Sequence, residues 1–288
     1  MKTGSRSSRL GRTARRRLGK TAVYLLCILG SVLMLIPLAW LVRSSVMSLG
    51  QIFTFPPEWI PSPWRWENYP QALTSIPFFR YFVNTLVILV PSVLGTVVTS
   101  TLAAYGFSRL QWPGRDIVFG ILLTTLMLPY AVTLIPTFLL WAGLGLVGTY
   151  WPLIVPHLFG GGIFYIFLLR QFFMTLPKEL DEAAIIDGAS PPQVLWYVIV
   201  PLSRPALITV VIFATLFEWN DFLEPLIYIN RSSQHTLALG LAEFTGLYTS
   251  QWHLLMAAST VVILPVLILF FFAQRYFIEG IALTGTKG

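Results

Sequence analysis

The run TAVYLLCILGSVLMLIPLAWLV, Thr21 to Val42, contains no charged side chain. An α-helix rises about 1.5 Å per residue, so a run of this length covers the ~30 Å hydrocarbon core of a bilayer. Directly before it stand eight of the nineteen Lys and Arg residues: Lys2, Arg6, Arg9, Arg12, Arg15, Arg16, Arg17 and Lys20. A basic tail can serve nucleic acid, but one that abuts an apolar run reads as the cytoplasmic flank of a membrane helix. The run exceeds the roughly 7–15-residue core of a cleaved signal peptide. No small-x-small cleavage site follows, and the Arg pairs lack the rest of a twin-arginine signal. It is read as a retained first span, with residues 1–20 as a basic tail.

The same reading extends outward. The chain is 56% hydrophobic and 11% charged, against about a quarter charged in a soluble domain. Six segments meet the length criterion, at roughly 21–42, 81–106, 117–141, 151–174, 206–229 and 256–277. Pro37, Pro91, Pro129, Pro136, Pro156 and Pro265 fall inside them. Such prolines break soluble helices but serve as kinks in membrane bundles. The expected fold is all-α and polytopic, with a six-helix membrane domain over 21–277 and a short tail over 278–288.

Orientation follows from the basic residues. With the N-terminus inside, fifteen lie inside: the tail, Arg109, Arg115, Arg170, Lys178, Arg204, Arg275 and Lys287. Four lie outside, Arg43, Arg65, Arg80 and Arg231. Both termini are therefore expected in the cytoplasm. The outer segment 44–80 carries Trp59, Trp64, Trp66 and Tyr69, residues suited to the membrane interface, and its prolines forbid a long helix.

The residue types bound the chemistry. Cys27 is the single cysteine, so no intrachain disulfide or thiolate cluster can form. His157, His235 and His253 are too scattered to suggest a metal site. Gly280 to Lys287 approaches a phosphate-binding loop, but Thr286 separates Gly285 from Lys287 and no helix follows. No cofactor is expected, and no loop is large enough for a catalytic domain.

The inner loop 175–205 is the exception to the apolar pattern. Its LPKELDEAAIIDGASPP, Leu176 to Pro192, holds four of twelve acidic residues: Glu179, Asp181, Glu182 and Asp187. Lys178 to Asp187 is rich in helix formers. Leu176, Leu180, Ala183 and Ala184 share one face, with Asp181 and Glu182 directed elsewhere. Gly188 can end the helix in the left-handed region. Ser190, Pro191 and Gln193 then suit the N-cap, first-turn and capping-box positions of a second helix ending near Pro201. A knob of this kind either rests on the membrane surface or docks a partner.

The spacing Glu182-Ala183-Ala184, Gly188, Val198, Val200-Pro201 resembles the EAA motif of membrane subunits of bacterial ABC importers. Val198 and Val200 stand where Ile and Leu are usual. Asp187 and Ala189 complete the EAAxxDGA form of the carbohydrate-uptake branch. EWNDFLEPLIYI from Glu218 and the C-terminal stretch from Leu254 resemble the maltose-type permeases, in particular their second, six-span member. The end Gly285-Thr286-Lys287-Gly288 departs mildly from the Ala-Val-Lys-Gly common there. The resemblance implies the type I importer permease fold, with residues around Glu182 forming a coupling helix that seats in an ATP-binding subunit. It also implies a second permease subunit, two copies of the ATPase and an extracytoplasmic solute-binding protein, which the loop Asn230–Gln251 is expected to touch. Membrane lipid is the surroundings, and no nucleic-acid partner is implied.

Glu218, Trp219, Asn220 and Asp221 are candidates for a translocation path or gate. Glu218 lies about 18 Å into its span, where ionisable groups are costly. The alternative is that they pair with neighbours at a wetter outer end. Asn84 is a lesser candidate, and Gly160-Gly161-Gly162 suits a kink or close packing. The expected function is import of a sugar or oligosaccharide across the bacterial cytoplasmic membrane, driven by ATP hydrolysed in partner subunits. The alternatives are another solute such as glycerol phosphate, a stand-alone secondary transporter, or a membrane scaffold.

Overall fold

The computed structural model describes residues 7–159, 161–246 and 250–284. Lys2 and Arg6 of the tail, Gly160, residues 247–249 of the predicted docking loop and the terminal Gly285–Gly288 lie outside the described residues. The helices, in chain order, are α1 (Ser7–Ser45), α2 (Leu49–Ile52), α3 (Asn68–Ser75), α4 (Phe78–Ser108), α5 (Arg115–Thr124) and α6 (Tyr130–Gly143). Then follow α7 (Trp151–Leu158), α8 (Ile163–Thr175), α9 (Glu179–Ile186), α10 (Pro191–Val194), α11 (Val200–Leu202), α12 (Arg204–Asn220), α13 (Leu223–Tyr228), α14 (Leu237–Ala242) and α15 (Trp252–Thr284). A π-helical turn, Leu195–Ile199, joins α10 to α11.

Four stretches are long and apolar enough to cross a membrane: Gly19–Ser45, Phe78–Ser108, Trp151–Thr175 and Trp252–Gln274. Two further stretches qualify only as bent pairs, Arg115–Met127 with Tyr130–Gly143 at 99° and Pro191–Leu202 with Arg204–Asn220 at 81°. The predicted third and fifth spans are therefore not straight. Pro129 accounts for the first bend, because it forbids a helical continuation through the preceding residue. Ser203 and Pro205 mark the second. The predicted fifth span, 206–229, is also interrupted, since α12 ends at Asn220 and α13 starts at Leu223. The fourth breaks between α7 and α8, where Gly161 and Gly162 take φ values of 57° and 110°. Those angles suit glycine alone, and the predicted kink follows.

The chain forms two compact units, each described by itself. The first is Met1–Ala72 with Ser250–Val261. Here the predicted irregular outer segment is pinned by buried polar contacts. Asn68 donates to the carbonyls of Ser45 and Met47 at 2.9 and 2.8 Å, and Ser45 Oγ meets the Tyr69 hydroxyl at 2.8 Å. Arg43 donates to the Glu58 carbonyl and lies 4.3 Å from the centre of the Trp40 ring. Side chains thus satisfy buried carbonyls in the irregular stretches on either side of the short α2.

The second unit is Leu73–Thr249 with Val262–Gly288, and α4 is its axis. It packs on α7, α8, α12 and α14. One apolar cluster joins Ala104, Tyr105, Phe119, Leu169, Phe173, Leu195 and Val210. A second joins Ile88, Trp141, Leu153, Tyr228 and Ile229.

Candidate functional sites

Local chemistry builds the first site, the predicted knob. Helix α9 ends as expected, with Gly188 at φ 87° and the Ala189 N–H donating to the Ala184 carbonyl at 2.9 Å. Ser190 caps α10 with the reciprocal Gln193 contact, and Pro191 opens the first turn. The helix turns differently about its axis from the amphipathic expectation. Asp181 and Ala184 face inward, Ala184 against the first apolar cluster and Asp181 against Arg109. Leu180, Ala183 and Glu182 are exposed, as are Ile185 and, at 85%, Ile186. Asp181 points inward because a buried cation awaits it, a partner that apolar periodicity cannot reveal. Pro201 sits in the exposed turn of α11, three residues before the bend at Arg204.

That cation is anchored on both sides. Arg109, the residue after α4, is 3% exposed and places Nη1 3.2 Å from Asp181 Oδ2. Its Nη2 donates to the carbonyls of Phe173 and Leu176, at 2.6 and 2.9 Å, at the C-terminal end of α8. Burial pushes the Asp181 carboxyl above its ordinary value, Arg109 pulls it back down, and burial is the larger effect.

The second site lies where three predicted spans break. His157 closes α7, Glu218 and Asp221 flank the end of α12, and Tyr130 opens α6. His157 Nε2 is 3.0 Å from Glu218 Oε1, with the two side chains 14% and 6% exposed. His157 Nδ1 faces Thr96 Oγ1 of α4 at 3.4 Å. Asp221 Oδ1 accepts from the Glu224 N–H at 3.3 Å, and the Glu224 carboxylate accepts from the Tyr130 hydroxyl. Interrupted helices expose backbone groups only where protein or a watered cavity can satisfy them, and transporters place solute sites at such breaks.

The remaining predicted path residues divide. Trp219 is buried, stands edge-on to Phe82 and donates to the Val262 carbonyl at 3.2 Å. Asn220 is exposed and bonds back to the Leu216 carbonyl. Asn84 donates to the carbonyls of Ser233 and His235, at 3.0 and 2.9 Å, and so ties α4 to the 230–246 loop. The same loop is held by Tyr81 and His235, which meet Glu243 Oε1 at 2.9 and 2.8 Å. The sequence offers no signal for Thr96 or Tyr130, and it marks His157 only as a scattered histidine and Arg109 only as an inner basic residue. A lone His or Tyr in an apolar run carries no periodic signal, although Arg109 at the edge of a span could have suggested an anchor. Among the described residues no cluster of His, Cys, Asp and Glu is arranged to hold a metal ion.

Comparison with known proteins agrees with this architecture. Residues 95–282 match the family model "Binding-protein-dependent transport system inner membrane component". The chain is 32% identical over 252 residues to the diacetylchitobiose uptake system permease protein NgcG of Streptomyces coelicolor, covering 87% of this chain and 83% of that protein. It is 31% identical over 266 residues to the sn-glycerol-3-phosphate transport system permease protein UgpE of Yersinia pestis, covering 90% and 94%. Its fold matches a chain from the crystal structure of a bacterial ABC transporter involved in import of the acidic polysaccharide alginate, with TM-score 0.78, 24% identity and coverage of 96% and 100%. This chain therefore belongs to the family of binding-protein-dependent transport system inner membrane components.

Proposed function

We propose that the chain is one permease subunit of an ABC importer for a neutral sugar or oligosaccharide. It sits in the bacterial cytoplasmic membrane with both termini inside. Its partners are a second permease, two copies of an ATP-binding subunit and an extracytoplasmic solute-binding protein. ATP hydrolysis belongs to the ATP-binding subunit, and this chain does no covalent chemistry.

The observation that carries this reading is the exposed face of α9. Glu182, Ala183 and Ile186 stand together on a helix whose far end is fixed by Gly188 and whose inner side is fixed by Asp181. An apolar Ile that is 85% exposed beside a free carboxylate suits a groove lined by basic and apolar groups. In this reading Glu182, Ala183, Ala184, Asp187, Gly188, Ala189 and Pro201 form the coupling element. Glu218, Asp221 and their neighbours Trp219, Asn220 and Asn84 belong to the path and its walls.

One observation bears on the solute and another on the class of transporter. The cluster at the breaks holds three carboxylates, Glu218, Asp221 and Glu224, against one imidazole. Such a lining suits hydroxyl groups and repels an anion, which favours the sugar reading over glycerol phosphate despite the likeness to both kinds of permease. Membership of a binding-protein-dependent family sets aside a stand-alone secondary transporter.

The test is to purify the tagged chain in mild detergent and identify what accompanies it. A second permease and an ATPase are expected, with ATP hydrolysis stimulated by a neutral oligosaccharide and its binding protein. A homo-oligomer that transports after ATP depletion would overturn the importer reading. Stimulation by glycerol 3-phosphate and by no neutral sugar would overturn the solute class.

A further inference from the structure

We propose that Arg109 and Asp181 form a clasp that makes α9 move as one body with α4 and α8, so that Arg109 is the positioning residue that passes motion of the coupling face into the membrane helices. This rests on the reading of α9 as a coupling element and names how its displacement is carried.

The geometry has three parts. Arg109 leaves the end of α4 and is 3% exposed, too deep to be a surface ion pair. One nitrogen holds Asp181 on α9, and the other holds the carbonyls of Phe173 and Leu176 at the end of α8. A planar guanidinium fixes these contacts at set angles, which a flexible ammonium cannot do. Helix α9 is short, and its own apolar contact with the cluster is the small Ala184, with Leu176 before the helix and Ala189 after it. Without the clasp, α9 would be a loosely hinged tab.

Stability is not what the pair supplies. The Asp181 carboxyl lies above its ordinary value because burial outweighs Arg109, so the charged form is disfavoured by folding. The folded chain takes up this proton more readily than the unfolded chain, so the contribution of this carboxyl to stability falls as pH rises through its folded value. Against an apolar pair of the same volume a buried ion pair adds little, but removing one partner strands the other charge.

The experiment uses the assembled complex with its ATPase in lipid nanodiscs. Hydrogen exchange is measured with and without MgATP plus orthovanadate. In the wild type, nucleotide should change exchange in α9 and also in α4 and α8. In Asp181→Ala, α9 should still respond while the response of α4 and α8 falls about tenfold. Asp181→Glu, which keeps the carboxylate, should restore part of it. Asp181→Asn keeps an acceptor for Arg109 but leaves its buried charge unmatched, so it should melt below wild type and transmit as poorly as Asp181→Ala.

Undiminished responses of α4 and α8 in Asp181→Ala would overturn the clasp. Failure of both Asp181→Ala and Asp181→Asn to assemble would assign the pair to folding and overturn it too. In the wild type, silence of α4 and α8 beside a responding α9 would sink the clasp alone. Silence of α9 itself would sink the importer reading, and this role with it.

Discussion

His157 Nε2 and Glu218 Oε1 stand 3.0 Å apart, one at the end of α7 and the other at the end of α12, and each is next to a break in its span. The Nε2–H donates to the carboxylate while the Thr96 hydroxyl faces the opposite ring nitrogen. This fixes the imidazole between α4 and α12, so the two broken spans share one polar joint.

Glu218→Gln keeps a hydrogen-bond acceptor and removes the charge. It is expected to leave assembly intact, measured by size-exclusion chromatography, and to lower solute-stimulated ATP hydrolysis. Glu218→Ala strands the buried imidazole and should also cost about 1–3 kcal/mol in stability. Equal stimulation in wild type and Glu218→Gln would remove the charge from the path.

Glu182 and Ile186 stand on the exposed face of α9, where Glu182→Lys and Ile186→Asp disturb no hydrogen bond or ion pair among the described residues. Each is expected to shift stability by no more than about 0.5 kcal/mol. Each should weaken capture of the ATP-binding subunit, read by pull-down at graded salt, by roughly tenfold or more if the residue is a hot spot. Normal capture with both substitutions would place the docking face elsewhere.

Gly188→Val acts on the backbone instead. At φ 87° a side chain with a Cβ costs about 1–2 kcal/mol, and a branched one costs more. The corner between α9 and α10 should open to protease near 187–190 while the membrane helices stay protected. Cleavage no faster than in wild type would mean that the turn relaxes without glycine.

Asn68→Ala serves as a contrast in the other unit. It leaves the Ser45 and Met47 carbonyls buried without their donor, at about 1–3 kcal/mol for each buried acceptor left unpaired. The thermal midpoint should fall, while capture of the ATP-binding subunit stays unchanged. A fall in capture would show that the outer segment also conditions the coupling face.

The sequence by itself determined whatever depends on neighbours along the chain. Run length and hydropathy located the spans, because crossing hydrocarbon is a property of each segment alone. Gly188, Ser190, Pro191 and Gln193 determined the helix–corner–helix of the knob, because caps act over three or four residues. Only the tertiary structure decided which distant polar groups meet. It turned Asp181 inward onto Arg109, joined His157 to Glu218, buried Trp219 against Phe82 and bound Asn84 to a loop. Hydropathy scores each of these polar groups as an isolated cost. The partner that repays the cost lies many residues away, and packing alone brings it within hydrogen-bonding distance.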